Sequence, residues 1–131
     1  MSDSEIPQDL HYTKEHEWLR VVGTNYQVGV TAFAVEQLGD VTMVELPEVG
    51  DSIEKEAVFG TVESVKAVSD LFAPISGKIV RINESLEDTP EAVNESPYAD
   101  GWLVEIEASN PAEIDSLLDA AAYQKLCEAE D

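Results

Sequence analysis

Lys66 is the residue whose chemical setting is least ordinary. It lies in the stretch GTVESVKAVSDLFAPISGKI, residues 60 to 79, between Val65 and Ala67. The other lysines stand in polar or turn-rich sequence, whereas Lys66 has small apolar neighbours on both sides. Burying an ammonium group without a partner costs several kcal/mol, so we expect the fold to keep this amine in water. There it is open to acylation.

A β-hairpin would place the amine in water. Residues 58 to 64 and 68 to 74 both have the pattern of strands, which puts the turn on residues 65 to 68. Because these four residues include no Gly, Asn or Asp, turns that need positive φ are disfavoured and a type I turn is predicted. Val65 and Val68 then either pack beneath the turn or form a surface that a partner protein covers. The sequence leaves both alternatives open.

The charge of the chain is strongly negative. It has 28 acidic and 7 basic residues among 131, for a formal net charge of −21. Such a surface repels nucleic acid, anionic lipid and copies of itself, which predicts a monomer without nucleic-acid or membrane partners. The acidic residues are either a solvated surface or a means of steering toward basic partner surfaces.

The length predicts one domain over residues 1–131, with residues 1–9 as a flexible lead-in. No apolar run approaches the length that a bilayer requires, and the first ten residues, MSDSEIPQDL, lack the features of a signal or transit peptide. We therefore expect a cytoplasmic protein.

Cysteine and histidine chemistry is not indicated. Cys127 is the only cysteine, which excludes an intramolecular disulfide and a cysteine-based zinc site, and its helical context favours an inert thiol. His11 and His16 lie five residues apart with no third ligand cluster nearby. We predict no metal site.

Most of the chain has the pattern of short strands separated by turns. These segments are EHEWLRVV, YQVGVT, VTMVELP, EAVFGTVES, AVSDLFAPI, GKIVRIN and WLVEIEA. In VTMVELP, the alternation places Val41 and Met43 on one face. Seven or eight strands with little helix predict a β-sandwich or flattened barrel.

Helices are predicted at two places, with a single helical turn at a third. Thr31 can cap a helix that Gly39 ends. The C-terminal helix covers residues 110–128, capped by Asn110, with an apolar stripe that includes Ala121 and Ala122. The extra turn begins at Thr89, followed by a proline in the first helical position.

The stretch around Lys66 resembles the lipoyl-attachment region of the H proteins of the glycine cleavage system. The elements HEW, QLGD, ESVKAVSD and PYADGW occur together in the order typical of that family, and the resemblance runs from Leu10 to Leu126. It implies a lipoyl-type hybrid of barrel and sandwich, mostly β, with short helices and a C-terminal helix. It also implies a carrier rather than an enzyme, with lipoic acid in amide linkage to Lys66.

The resemblance implies partners as well. A pyridoxal-phosphate glycine decarboxylase loads the arm with an aminomethyl group, and a tetrahydrofolate-dependent aminomethyltransferase removes it. The FAD enzyme dihydrolipoamide dehydrogenase reoxidises the dithiol, and a lipoate ligase or lipoyltransferase attaches the lipoate. Because lipoamide is common to several complexes, recognition should depend on the residues around the attachment lysine. These are Glu63, Ser64, Val65, Ala67 and Val68.

By the same resemblance, Glu17 and Asp70 are carried over as contacts to the cationic aminomethyl group in a sheltering cleft. The alternative is that both are ordinary surface carboxylates. Two other functions stay open: a lipoate relay that supplies 2-oxoacid dehydrogenases, and a biotinyl carrier. The biotinyl carrier is disfavoured because Val65 and Ala67 stand where methionines usually flank the biotinylated lysine.

Overall fold

The computed structural model describes residues 7–130, apart from the side chain of residue 130. Of the predicted lead-in, residues 1–6 therefore lie outside the described residues. Pro7 is tied to the body of the protein, because its carbonyl oxygen accepts a hydrogen bond from the Tyr12 hydroxyl at 2.6 Å.

The described residues form nine strands, three α-helices and two 3₁₀ helices. The strands are β1 (His11–Tyr12), β2 (Glu17–Val22), β3 (Asn25–Val30), β4 (Val41–Glu45), β5 (Ser52–Ile53), β6 (Val58–Ser64), β7 (Val68–Phe72), β8 (Gly77–Ile82) and β9 (Val104–Ala108). The α-helices are α1 (Ala32–Leu38), α2 (Ala92–Glu95) and α3 (Ala120–Glu130), and the 3₁₀ helices cover Glu84–Glu87 and Pro111–Ser116.

The strands make two antiparallel sheets that enclose one main core. One sheet has six strands in the order β1-β2-β3-β9-β8-β5, and the other has three in the order β4-β6-β7. Neither sheet closes into a barrel. The predicted mostly-β sandwich is confirmed, although the strand count was too low because β1 and β5 have only two residues each.

Side chains from both sheets fill the main core. Leu19 and Val28 contribute from the six-stranded sheet, and Val62 and Leu71 contribute from the three-stranded sheet. Each is at most 2% exposed, and burying such a side chain contributes about 1.5–3 kcal/mol. The three-stranded sheet, which carries Lys66 between β6 and β7, therefore rests on a rigid base.

Two local predictions about β4 and α1 have different outcomes. Thr31 caps α1 by accepting a hydrogen bond from the backbone N–H of Ala34, and Gly39 ends the helix, as predicted. In β4, however, the pairing with β6 shifts between Val41 and Met43. This irregularity turns Met43 to solvent while Val41 stays buried, so the prediction that they share a face is wrong.

The predicted C-terminal helix is not continuous. Asn110 caps the 3₁₀ helix Pro111–Ser116 by accepting from the N–H of Ala112. The chain then extends, and the backbones of Leu118 and Tyr12 exchange two hydrogen bonds of 2.8 Å before α3 begins. The tertiary bridge to Tyr12 thus overrides the local helical pattern.

Helix α3 closes a second, smaller core. Tyr123 and Cys127 on α3 pack there with Trp18, and the rings of Tyr12 and Tyr123 stack with centroids 4.6 Å apart. Cys127 is buried, in keeping with an inert thiol. Ala121 and Ala122, predicted to face the core, are exposed instead.

The helical turn predicted at Thr89 begins later along the chain. Helix α2 covers Ala92–Glu95, with Glu91 preceding its first residue. The Thr89 hydroxyl donates to the carbonyl of Ser85 rather than capping α2. Within residues 7–130, no helix is long and apolar enough to cross a membrane.

Candidate functional site

Lys66 lies in the loop of a hairpin formed by β6 and β7. Glu63 pairs with Val68, and the Ser64 N–H donates to the Ala67 carbonyl at 2.8 Å, which leaves residues 65 to 67 as the loop. The strand limits predicted at residues 64 and 68 are confirmed, and the loop is one residue shorter than the predicted turn on residues 65 to 68, because Val68 already belongs to β7. Lys66 nevertheless occupies the middle of the loop.

The Ser64 side chain braces this loop. Its hydroxyl oxygen accepts hydrogen bonds from the backbone N–H groups of Lys66 at 3.2 Å and Ala67 at 3.1 Å. A serine can satisfy backbone donors in a turn in this way, so the loop needs neither Gly nor Asn. In the described part of the chain, positive φ among non-glycine residues occurs at His16 and Glu56, not in this loop.

The Lys66 side chain is exposed, as predicted. Its aliphatic stem crosses Gly39, where a Cβ atom, if glycine had one, would lie 3.1 Å from the Lys66 Cε atom. The Nζ atom makes no hydrogen bond or ion pair with the described residues. The amine is thus accessible from solvent.

Two apolar side chains stand beside the lysine in solvent. Val65 is 69% exposed and Val68 is 65% exposed. The alternative in which both pack beneath the turn is therefore wrong. Exposed valines on both sides of an exposed amine are a surface that suits contact with another protein.

The outward face of β7 leads away from this loop. Val68, Asp70 and Phe72 alternate with buried or half-buried residues along the strand, so they share that face. Asp70 is exposed and is paired in register with Thr61 on β6. These three side chains thus form a row on one face of β7, from the lysine loop to Phe72.

A cleft of about 350 Å³ opens at Phe72. Its lining combines apolar residues with charged residues at the rim. The lining residues are Tyr12, Thr13, Lys14, Glu15, Glu17, Lys55, Glu56, Phe72, Ala73, Pro74, Ser116, Leu117 and Leu118. Asp70 does not line the cleft, so of the two predicted carboxylates only Glu17 lies in it, and Asp70 is exposed on β7 two residues before Phe72.

Glu17 is the buried acid of the cleft. Its side chain is 1% exposed, and its two carboxylate oxygens accept hydrogen bonds from the Thr13 hydroxyl at 2.8 Å and the Phe72 N–H at 3.0 Å. Burial raises the pKa of Glu17 to about 8, although both hydrogen bonds oppose the rise. The alternative of an ordinary surface carboxylate is thus wrong for Glu17.

Sequence reasoning missed the partners that hold Glu17. Phe72 contributes a backbone N–H that lies 55 residues away along the chain, and no local pattern signals such a contact. Thr13 could have been recognised from the sequence as a partner of Glu17, because it lies only four residues before it. Its hydroxyl also accepts a hydrogen bond from the backbone N–H of Glu17.

The two histidines do not form a metal site in the described part of the chain. His16 instead joins the second core, with its Nδ1 atom 2.7 Å from the Tyr123 hydroxyl and its ring 4.8 Å from that of Phe33. These contacts give His16 a structural role.

Comparison with known proteins decides between the functional alternatives. The family model described as "Glycine cleavage H-protein" matches residues 10–130. The chain belongs to the glycine cleavage H-protein family. This family is that of the lipoyl carrier of the glycine cleavage system, and membership supports that function over a lipoate relay.

Relatives of similar length share about half of the residues. The glycine cleavage system H protein of Anaeromyxobacter sp. (strain K) is 55% identical over 127 residues, or 97% of this chain and 99% of the relative. That of Symbiobacterium thermophilum is 58% identical over 118 residues, or 90% of this chain and 92% of the relative.

A solved structure supports the fold of the H-protein family. The crystal structure of a glycine cleavage system H protein from Mycobacterium marinum matches with a TM-score of 0.84 and 40% identity. The match covers 92% of this chain and 97% of that chain. The two-sheet sandwich described above is thus the fold of this family.

Proposed function

We propose that this H protein carries lipoic acid in amide linkage to Lys66 and moves the aminomethyl group of glycine between enzymes on that arm. The observation that carries the proposal is the exposed Lys66 amine in a hairpin loop that backbone and Ser64 hydrogen bonds hold in place. In the attachment step, Nζ loses a proton to solvent and attacks the activated carboxyl carbon of lipoate. The activating group leaves as the amide forms.

Some residues of the hairpin hold the loop in place, and the exposed Val65 and Val68 are the proposed contacts to partner enzymes. Ser64 fixes the loop, and Glu63 and Ala67 complete its ends by pairing with Val68 and Ser64. The lipoyl group, when bound, supplies the dithiolane that accepts the aminomethyl group. The protein supplies a fixed root, so that the end of the arm is held at high effective concentration near each partner's active site.

The cleft is the proposed shelter for the loaded arm, whose amino group is cationic. Phe72 and the other apolar lining residues exclude water, and Glu17 offers a buried carboxyl group that forms no ion pair with residues 7–130. An arriving cation stabilises the ionised form of Glu17, which burial alone disfavours. Asp70, exposed between the lysine loop and the cleft, attracts the same cation on its way in.

The proposed partners follow from the carrier function. They are the pyridoxal-phosphate glycine decarboxylase, the tetrahydrofolate-dependent aminomethyltransferase, the FAD enzyme dihydrolipoamide dehydrogenase, and the lipoate ligase or lipoyltransferase. The net charge of −21 favours basic docking surfaces on these enzymes and disfavours nucleic acid and membranes. We propose a cytoplasmic monomer that is itself non-catalytic, with a single carrier domain over residues 1–131.

Intact-mass analysis of the Lys66→Arg variant tests the proposal. The wild-type chain, incubated with lipoate, ATP and a lipoate ligase, should gain the mass of one lipoyl group. Lys66→Arg keeps the charge and should gain nothing, and it should support no glycine decarboxylation. Lys78→Arg, at another lysine that the sequence places beside a turn, should be modified like the wild type. Lipoylation that persists in Lys66→Arg would overturn the assignment.

A further inference from the structure

The lysine loop has a lateral support besides the β6–β7 pairing. The backbone N–H of Val65 donates to the carbonyl of Asp40 at 3.1 Å. The stem of Lys66 lies against Gly39, the residue before. The position of the loop therefore depends on the conformation of residues 39 to 41, which comprise the link between α1 and β4 and the first residue of β4.

This link has an unusual backbone conformation. Gly39 has φ 79° and ψ −154°, a combination that is essentially restricted to glycine. A segment that leaves a helix in this conformation needs hydrogen bonds to stay there, because the helix no longer supplies them.

The Asn94 side chain supplies those hydrogen bonds. Its Nδ2 atom donates to the Gly39 carbonyl at 2.8 Å, and its Oδ1 atom accepts from the Val41 N–H at 2.8 Å. Both ends of one carboxamide are thus bonded to the backbone on the two sides of Asp40, whose carbonyl holds Val65. Asn94 is 28 residues beyond Lys66 in the sequence.

Asn94 is itself firmly anchored. It lies on α2 beside Val93, which is 0% exposed in the main core. Gly101 packs so closely on this helix that a Cβ there would lie 2.8 Å from the Ala92 carbonyl oxygen and the Val93 Cα atom. The N–H of Gly101 also donates to the Ser96 carbonyl at 2.8 Å. The main core thus fixes the carboxamide.

We infer that Asn94 is a positioning residue for the attachment lysine, acting through residues 39 to 41 and the Val65 N–H to hold Lys66 where a lipoate ligase can acylate it. The inference rests on the proposed function of Lys66 as the lipoyl site. An acylating enzyme must reach one nitrogen atom in a defined geometry, and displacement of a reacting group by about 1 Å can lower a rate a hundredfold. A loosened loop should therefore be a poorer substrate even when the rest of the protein is folded.

The test compares Asn94→Ala with Asn83→Ala. Asn83 is a matched control, because its carboxamide also bonds backbone on another segment, donating to the carbonyls of Asp100 and Trp102 at 2.8 Å each. It makes no hydrogen bond to residues 39 to 41 or to Val65. Both variants are assayed at a temperature where circular dichroism shows them fully folded.

We expect kcat/KM for acylation by lipoate ligase to fall about 5- to 10-fold in Asn94→Ala and to change less than about twofold in Asn83→Ala. Amide hydrogen exchange of Val65 in the ligase-free protein should accelerate about tenfold in Asn94→Ala alone. This second measurement excludes a direct contact between Asn94 and the ligase as the cause. Should Asn94→Ala fail to fold, Asn94→Asp serves instead, because it keeps the acceptor for Val41 and loses only the donor to Gly39.

The outcomes separate the two proposals. If the wild type is not acylated at Lys66, the proposed function is wrong. If the wild type is acylated and the Asn94 variant matches the Asn83 control in both rate and Val65 exchange, the positioning role is wrong and the function stands.

Discussion

The Glu17 carboxylate accepts a hydrogen bond of 3.0 Å from the backbone N–H of Phe72 and so ties the two sheets together. Glu17 begins β2 of the six-stranded sheet, whereas Phe72 ends β7 at the edge of the three-stranded sheet. A backbone donor at a sheet edge that would otherwise need water is satisfied by a side chain. One carboxylate therefore has both a structural partner and a face in the cleft.

Replacing Glu17 by Gln should release the loaded arm from the cleft. The amide keeps the size of the side chain but cannot carry the negative charge that stabilises a cationic aminomethyl group. We expect the aminomethyl-loaded protein to lose its one-carbon unit to water about tenfold faster, since a charge-assisted hydrogen bond is worth about 1.5–3 kcal/mol. Release of formaldehyde and ammonia from the isolated loaded protein measures the rate.

Glu15→Gln is the control for Glu17→Gln. Glu15 lines the same cleft, and Glu15→Gln also removes a carboxylate. The Glu15 side chain is exposed, however, so water already screens its charge. Its replacement should change the rate less than about twofold. Equal acceleration in the two variants would mean that the general charge of the rim, and not the buried Glu17 carboxylate, shelters the arm.

The raised pKa of Glu17 also predicts a dependence of stability on pH. Below about pH 4.5, Glu17 is protonated in both the unfolded and the folded chain. Its burial then removes no charge from water. Between about pH 4.5 and about pH 8 the unfolded chain releases this proton while the folded chain keeps it, so the free energy of unfolding falls as the pH rises. The total fall due to Glu17 is at most about 5 kcal/mol, from about 1.4 kcal/mol for each pKa unit.

Urea unfolding of the unmodified protein at pH 5 and pH 9 measures this effect. Glu17→Gln cannot ionise, so the difference in free energy of unfolding between wild type and variant should shift in favour of the variant at pH 9. All other carboxylates are present in both proteins, so their contributions cancel in the difference in free energy of unfolding. A difference that is the same at both pH values would show that the Glu17 carboxyl group is not raised in pKa.

Asp70→Asn should have a smaller effect that depends on salt. Asp70 is exposed on the approach to the cleft, so its attraction for the cationic arm is screened. We expect the loaded form to decay about two- to threefold faster at low ionic strength and at the wild-type rate in about 1 M salt. Asp88→Asn, at an exposed residue beyond the 3₁₀ helix Glu84–Glu87, should have no effect. An effect of Asp70→Asn that persists at high salt would place Asp70 in direct contact with the bound arm.

The features that could be predicted from the sequence are those that local interactions decide. The hairpin, the exposure of Lys66 and the Thr31 cap of α1 depend on residues within a few positions of one another. Alternation, capping residues and turn chemistry report such interactions directly. The exposed lysine in its hairpin loop was predictable for this reason, and the resemblance to the H-protein family proposes the same lysine for lipoyl attachment.

The features that could not be predicted depend on contacts between distant segments. The burial of Glu17 requires Phe72, and the break before α3 requires the bridge between Tyr12 and Leu118. The exposure of Met43 requires the irregular pairing of β4 with β6. In each case the local pattern allows another outcome, and packing between elements selects the observed one.

The exposed valine Val68 should contribute to partner recognition and not to folding. Val68→Ser removes apolar surface that is 65% exposed beside the lysine loop, so its free energy of unfolding should change by less than about 1 kcal/mol. The KM of the aminomethyltransferase for the loaded variant should rise about 3- to 10-fold, or about 0.7–1.4 kcal/mol of binding free energy, because apolar surface that leaves water at a contact stabilises the complex. Val21→Ser, at a 56% exposed valine on β2, should leave KM unchanged. A normal KM for Val68→Ser would remove Val68 from the docking surface.

The Tyr123 hydroxyl should stabilise the attachment of α3 to the sheets. It lies 2.7 Å from His16 Nδ1 and 2.6 Å from the hydroxyl of Thr31, which is 0% exposed. Tyr123→Phe keeps the ring stacked on Tyr12 but takes a hydrogen-bonding partner from a buried hydroxyl, which should cost about 1–3 kcal/mol.

The urea midpoint of Tyr123→Phe measures this cost, with Tyr26→Phe as the matched control. Tyr26 is half-buried on β3, and its hydroxyl makes no hydrogen bond with residues 7–130, so its loss should cost less than about 0.5 kcal/mol. Because Thr31 also caps α1, part of the cost should appear as faster hydrogen exchange at Ala34, whose N–H the Thr31 hydroxyl accepts at 3.3 Å. Equal midpoints for the two tyrosine variants would show that α3 is held by the packing of its rings and apolar side chains alone.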